Sequence, residues 1–249
     1  MTPPQRGRAK LADKIVYNSK FVHYFFELTE PHEVPFLAGQ YVSIKVTESG
    51  LRRSYSIASS PENTHGFELV LDVTPAGAGT KFLEALQFGQ EVEILYPLGM
   101  FYLMDEPSEK SLVYVANGSG IVPFRSMLLD QLQLKNDKRE ITLHWGLRHE
   151  ADLIWEDEFQ ELSESYPNFH FHPVISQPTP EWPLCQGRVT DCLATHEFEA
   201  EAGYYLCGST TMIADVVTFL IQRGVTRQHI HHENFYWPFI INLRAYDRR

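Results

Sequence analysis

Along the first hundred residues, short runs of β-branched, aromatic and alternating apolar residues recur: KIVYNSKFVHYFFEL, QYVSIKV, RSYSIAS, FELVLDV and EVEILYPLG. Turns rich in Gly, Pro and Glu separate them, and short strands at such regular spacing predict an antiparallel sandwich or barrel. Within this half, residues 80–88 (TKFLEALQF) read as a short helix. Beyond Pro107 the period lengthens. SLVYVAN leads into FRSMLLDQLQLK, an amphipathic helical run; REITLHWGL leads into DLIWEDEFQELSESY; NFHFHPVIS into GRVTDCLATHEF; GYYLCG into TTMIADVVTFLIQR; and a last run starts at HIHHENF. Strand and helix in alternation imply right-handed crossovers and a parallel sheet covered on both faces, with ligands held at the carboxyl ends of its strands. The change of period divides the chain into residues 1–106 and 107–249, with 104–110 (MDEPSEK) as the connecting segment.

Composition narrows the possibilities. A chain of 249 residues, 43% of them hydrophobic, can bury the core of one large or two ordinary domains. A net charge of -11 argues against a general nucleic-acid binder, which needs clustered cations for phosphate contacts. No apolar run approaches the roughly 20 residues a membrane helix requires, and the first ten residues are polar, so a cytoplasmic protein without membrane insertion is expected. Cys185, Cys192 and Cys207 are odd in number and widely spaced, which predicts neither a disulfide framework nor a four-thiolate metal or iron–sulfur site. His229, His231 and His232 lack an accompanying ligand group, so no metal site is expected there either. The run Glu156, Asp157 and Glu158 reads as a solvated helix face, and Trp145 and Trp155 as packing residues.

Three stretches carry candidate chemistry. In LRRSYSIASS, strand alternation puts Arg53 and Tyr55 on one face and Ser54 and Ser56 on the other. A guanidinium forks onto phosphate, a phenol ring offers a stacking surface and a hydroxyl donates a hydrogen bond, a set that suits a ligand with phosphates at one end and a planar ring at the other. In TPAGAGTKFLEAL, Gly77, Gly79 and Thr80 stand where a helix begins and its free amides favour an anion. In SLVYVANGSGIVPF, a strand is followed by Gly118, Ser119 and Gly120, then by Pro123 in a first helical turn, an arrangement that lets backbone approach a pyrophosphate. Each stretch alone also fits an ordinary turn.

Together the motifs resemble one family. Arg53-x-Tyr55-Ser56-x-x-Ser59, Gly77-x-Gly79-Thr80, Gly118-Ser119-Gly120-Ile121-x-Pro123, Trp145-Gly146-x-Arg148 with Asp152-Leu153, and Cys207-Gly208-x-x-x-Met212 follow the order and spacing of the ferredoxin–NADP reductase family across residues 10–236. The resemblance implies a six-stranded antiparallel Greek-key β-barrel that binds FAD, followed by a five-stranded parallel doubly wound α/β domain that binds NAD(P)H. It implies that Arg53 meets the FAD pyrophosphate, Tyr55 stacks on the flavin, Ser56 hydrogen-bonds near flavin N5, and Gly77, Gly79 and Thr80 hold the pyrophosphate from the other side. Gly118, Ser119, Gly120 and Pro123 would bind the nucleotide diphosphate, with Cys207, Gly208 and Met212 near the nicotinamide. Ser56, Cys207 and Glu233 are the catalytic candidates, Glu233 as a proton source, and Phe235 or Tyr236 would cover the outer flavin face. Arg148 and Arg188 lean the nucleotide choice towards NADPH, whereas Gln177 and Glu150 keep NADH open. The implied activity is hydride transfer from NAD(P)H to flavin, then single electrons to a ferredoxin, flavodoxin or other small iron–sulfur or flavin protein. A flavin subunit of a larger oxygenase, dehydrogenase or hydrogenase complex is the alternative, and a non-catalytic nucleotide-binding regulator a more distant one.

Overall fold

Residues 2–103, 109–196 and 198–234 are described by a computed structural model of the chain. Phe235 and Tyr236, and most of the expected connecting segment, lie outside them. Strands β1 (Gln5–Val16), β2 (Phe21–Glu30), β3 (Tyr41–Lys45), β4 (Arg52–Ser56), β5 (Gly66–Asp72) and β6 (Glu91–Leu98) form one antiparallel sheet in the order β4-β3-β6-β1-β2-β5. Alternation drives the curl. In β6, Val92, Ile94 and Tyr96 turn into the core while Glu91 and Glu93 face water. The expected barrel is present. Its two end strands meet just past β4, where the Ala58 amide donates to the Glu68 carbonyl of β5 at 2.8 Å. Helix α1 (Ala78–Ala85) bridges β5 and β6.

The second sheet is parallel throughout, in the order β10-β9-β8-β7-β11-β12. Its strands are β7 (Ser111–Asn117), β8 (Glu140–Leu147), β9 (Phe169–Ile175), β10 (Cys185–Gln186), β11 (Gly203–Gly208) and β12 (Ile230–Asn234). The five expected strands are joined by β10, a two-residue pairing on the end of β9 too short to leave a sequence signal. Helices α2 (Ile121–Leu128), α3 (Glu156–Ser165), α4 (Val189–Leu193) and α5 (Thr210–Gln222) cover the two faces. The strand order reverses between β7 and β11, and a doubly wound sheet opens a ligand crevice at that point.

Three sequence expectations need correction. Helix α2 is not amphipathic: every residue from Ile121 to Leu128 except Arg125 is buried. It lies between the parallel sheet and the barrel, so both of its sides meet protein. One apolar cluster accordingly runs from barrel residues Phe21, Ala58 and Phe101 through Phe124 and Met127 to Leu143 and Trp145. The cysteine reading also fails, because Cys185 and Cys192 are joined by a disulfide. Strand β10 ends at Gln186 and α4 begins at Val189, so the chain folds back at once and brings the two Cα atoms to 5.7 Å.

Polar contacts close the seam between the halves. Arg125 forks its Nε onto both Glu158 oxygens (2.9 and 3.0 Å), and its Nη1 donates to the Ala58 carbonyl and to Glu68, each at 2.9 Å. Its guanidinium also lies 4.9 Å from the Trp155 ring. Glu158 is therefore a structural ion-pair partner rather than part of a solvated face. Ser126 Oγ donates to the Ser59 carbonyl at 2.7 Å, and Lys20 pairs with Asp152 at 3.1 Å. On the opposite face of the parallel sheet, His144 and His172 stack with ring centroids 5.0 Å apart. Burial and neighbouring imidazoles push His144 down to about 3 and His172 down to about 4, so both rings are neutral near pH 7.

Candidate functional site

The cation pair that precedes Tyr55 divides its work. Arg52 braces the barrel, donating from Nη2 to the Ser43 carbonyl at 2.6 Å and from Nε to Ser43 Oγ at 3.2 Å. Arg53 is exposed, its Nη1 turned onto the Arg52 carbonyl at 2.9 Å, and no carboxylate pairs with it among the described residues. Helix α1 packs directly on this strand: a Cβ on Gly79 would collide with Tyr55 Oη and stand 3.0 Å from Arg53 Cγ. Only glycine lets the helix start come so close to the strand. Burial pushes the Tyr55 phenol up to about 12 against the pull of the Arg53 charge, so it stays neutral.

A cleft of ≈ 240 Å³ opens here, lined by Arg53, Tyr55, Ser56, Gly77, Gly79 and Thr80 and, from the other half, by Ser119 and Val122. Gly77 is the N-cap of α1, extended at φ -73° and ψ 176°, with open space where its side chain would be. The donor set is a free guanidinium, a neutral phenol, hydroxyls and a glycine-lined helix start. It fits the phosphates and flat ring of FAD.

A second cleft of ≈ 360 Å³ lies on the other side of the same turn, lined by Asn117, Gly118, Arg148, Arg188, Ser209 and Met212, among others. Gly118 takes a left-handed φ of +54° with open space before it, and its carbonyl accepts the Trp145 indole N–H at 2.9 Å. Trp145 therefore packs and also fixes the turn. Gly120 makes the opposite contact, since a Cβ there would collide with the Cys207 carbonyl and lie 2.9 Å from the Gly208 Cα. Pro123 is buried inside the first turn of α2. Arg148 and Arg188 both reach the second cleft, but Arg188 already pairs with Asp215 at 3.2 Å. Glu150 accepts the Thr179 amide at 2.7 Å, and the Gln177 amide donates to the Arg148 carbonyl at 2.9 Å. Asp215 is the acidic residue in the lining of this cleft, and its glycines and cations fit a dinucleotide.

Cys207 is fully buried beneath the glycine turn and lines neither cleft. Burial and the Glu233 charge push its thiol up, so it is not a nucleophile at neutral pH. Glu233 sits beside it in the register of β11 and β12. Burial raises the Glu233 carboxyl to about 7, and its Oε2 is buried without a hydrogen-bond partner among the described residues. His231 pairs with the buried Glu109 at 2.8 Å and stacks on Tyr205.

Sequence reasoning missed three contributors. Asn117 ties the two halves of the switch point, its Oδ1 accepting the Ser209 amide at 2.8 Å and its Nδ2 donating to Ser209 Oγ at 3.1 Å. Ser209 also caps α5 by accepting from the Met212 amide. A serine before TTMIADVV is a legible N-cap signal, whereas Asn117 carries none. Lys20 reaches the second cleft from the barrel, a placement that depends on tertiary packing.

Residues 8–102 match the family model described as the oxidoreductase FAD-binding domain, and residues 114–218 that of the oxidoreductase NAD-binding domain. The reductase component DmpP of phenol 2-monooxygenase from Pseudomonas sp. (strain CF600) is 35% identical over 209 residues, covering 82% of this chain and 58% of that protein. The chain therefore spans little more than half the length of this curated relative. The Amycolatopsis cytochrome P450 reductase GcoB aligns with a TM-score of 0.85 at 28% identity, over 94% of this chain and 71% of that one. A ferredoxin NADP+ reductase from Neisseria gonorrhoeae, solved with FAD and NADP bound, aligns with a TM-score of 0.81 at 23% identity, over 93% and 99% of the two chains. The two family models, laid on this fold, make it a two-domain oxidoreductase with an FAD-binding barrel and an NAD-binding α/β half. The chain belongs to the ferredoxin–NADP reductase family.

Proposed function

We propose that the chain draws reducing equivalents from NAD(P)H onto FAD and passes them singly to a protein acceptor. The observation that carries this reading is the common wall of the two clefts: Gly118 lines one and Ser119 the other, so ligands seated in both meet at that turn. Bound FAD supplies the chemistry, taking two electrons as hydride and releasing them one at a time. The chain's own residues orient and protonate. Arg53 offers an unpaired positive charge to the pyrophosphate, and the extended Gly77 backbone with the first amides of α1 faces it from the other side. Tyr55 presents a neutral ring, and the buried Ser56 hydroxyl donates at the cleft floor. Glu233, titrating near neutrality, holds or releases a proton at its Oε2, and Cys207 acts through its backbone, which backs the glycine turn at Gly120, its un-ionised thiol staying buried.

Arg148 is the group offered to a 2'-phosphate, which favours NADPH; the Asp215 carboxylate that lines the same cleft and pairs with Arg188 keeps NADH in contention. For the acceptor, a component of an oxygenase is favoured over a free-standing ferredoxin or flavodoxin. DmpP is named a reductase component of phenol 2-monooxygenase, and GcoB a cytochrome P450 reductase. Purified protein is expected to be yellow and to bleach within seconds when mixed anaerobically with one of the two nucleotides. A colourless protein that FAD does not reconstitute would overturn the flavin reading. Flavin that neither NADPH nor NADH reduces would overturn the redox reading.

A further inference from the structure

Strands β8 and β9 pair in a register that sets His144 beside His172, on the sheet face opposite Leu143 and Trp145. From α4 the Cys192 sulfur reaches His144 on this face and, one helical turn on, His196. His144 Nδ1 lies 3.4 Å from Cys192 Sγ, and His196 Nδ1 lies 3.8 Å from the same sulfur. His144, Cys192 and His196 together offer donor atoms that all lie within 4.8 Å of one another. For tetrahedral zinc, Zn–S near 2.3 Å and Zn–N near 2.0–2.1 Å make the S···N edge about 3.6 Å. Both observed separations fall within a few tenths of an ångström of that edge. His144 is buried, which costs free energy for a polar ring unless its nitrogens are bound, and Cys192 is buried beside it. Beside the cluster, a cavity of ≈ 480 Å³ leaves room for a water in the fourth position.

What withholds the site is Cys185, whose bond to Cys192 occupies the sulfur. We propose that reduction of the Cys185–Cys192 disulfide opens a zinc site whose protein ligands are His144, Cys192 and His196. A dithiol is the reductant: its two thiols give up two electrons and two protons, one S–S bond breaks in the protein and one forms in the dithiol. Zinc then displaces the proton of the Cys192 thiol, because the thiolate is the ligand. His196 exchanges the hydrogen bond its Nδ1 donates to the Cys192 carbonyl, 2.8 Å long here, for the metal.

Zinc content of the full-length, FAD-loaded protein tests this, measured by mass spectrometry after zinc loading and gel filtration. Protein reduced with dithiothreitol and desalted anaerobically is expected to hold about one zinc per chain, and oxidised protein almost none. Cys185→Ser frees Cys192 permanently and is expected to bind zinc without reductant. Cys192→Ser should bind none in either state, and His196→Gln about tenfold more weakly or worse. Loading with cobalt adds a spectroscopic arm, because a thiolate-to-cobalt charge-transfer band should appear in Cys185→Ser and be missing from Cys192→Ser. The flavin spectrum reports folding of every variant. A folded Cys185→Ser that holds no more zinc than Cys192→Ser would overturn the proposal, as would zinc binding that survives Cys192→Ser.

Discussion

Arg53 and Glu233 show how single side chains are prepared for a ligand. Arg53 has no acidic partner among the described residues, so its full charge is available to a phosphate. Arg53→Ala is expected to weaken FAD retention by roughly ten- to a hundredfold, the worth of a charge-assisted hydrogen bond of about 1.5–3 kcal/mol, measured by flavin fluorescence titration. Unchanged affinity would remove Arg53 from the phosphate site. Glu233 behaves in the opposite way, since its cost appears when it ionises. The unfolded chain loses this proton near the ordinary glutamate value, whereas the folded chain keeps it to about 7. Folding therefore binds a proton across that window, and stability falls as pH rises through it. Glu233→Gln should match the parent at pH 4 and exceed it at pH 8 by about 3 °C or more in melting temperature. A gap that stays constant with pH would mean that Glu233 is solvated.

At the scale of elements, α2 both starts at the shared turn and holds the two halves together. Arg125 is its one charged outlet, beside the Ser126 hydroxyl that reaches Ser59, and it satisfies Glu68 and Glu158 at once. Arg125→Met preserves volume but leaves the part-buried Glu158 without its ion-pair partner and Glu68 with His23 alone, and should cost about 2 kcal/mol, less than a fully buried pair because water reaches these groups. The urea midpoint should fall with an unchanged slope; an altered slope would mean that the halves part rather than the whole unfolding. This helix also marks the limit of sequence reading. Strand-period and helix-period runs were legible because each element faces one core, and the glycine turn was legible from its place between strand and helix. The second buried side of α2, the two-residue β10 and the Cys185–Cys192 pairing depend on which surfaces meet later, and no local pattern encodes that. His144 and His172 were visible as alternate residues on two strands, yet only the register brings them together.

Across the whole molecule, an apolar cluster crosses the seam, and the two halves are expected to unfold as one cooperative unit. Calorimetry and flavin fluorescence should report a single coincident transition, whereas two separated transitions would show that each half stands alone. Among the described residues no helix is long and apolar enough to cross a membrane. The candidate site was mostly legible because its glycines and Arg53 lie in contiguous motifs. Lys20 and Asn117 were not, because each acts on a residue distant in sequence. The absence of a side chain at Gly120 has a mechanical meaning. With only hydrogen facing the Cys207 carbonyl, the ends of β7 and β11 sit like a dovetail joint, without slack for one to slide past the other. The loop that would hold a cofactor thus rests directly on the backbone that carries the sulfur and lies alongside Glu233.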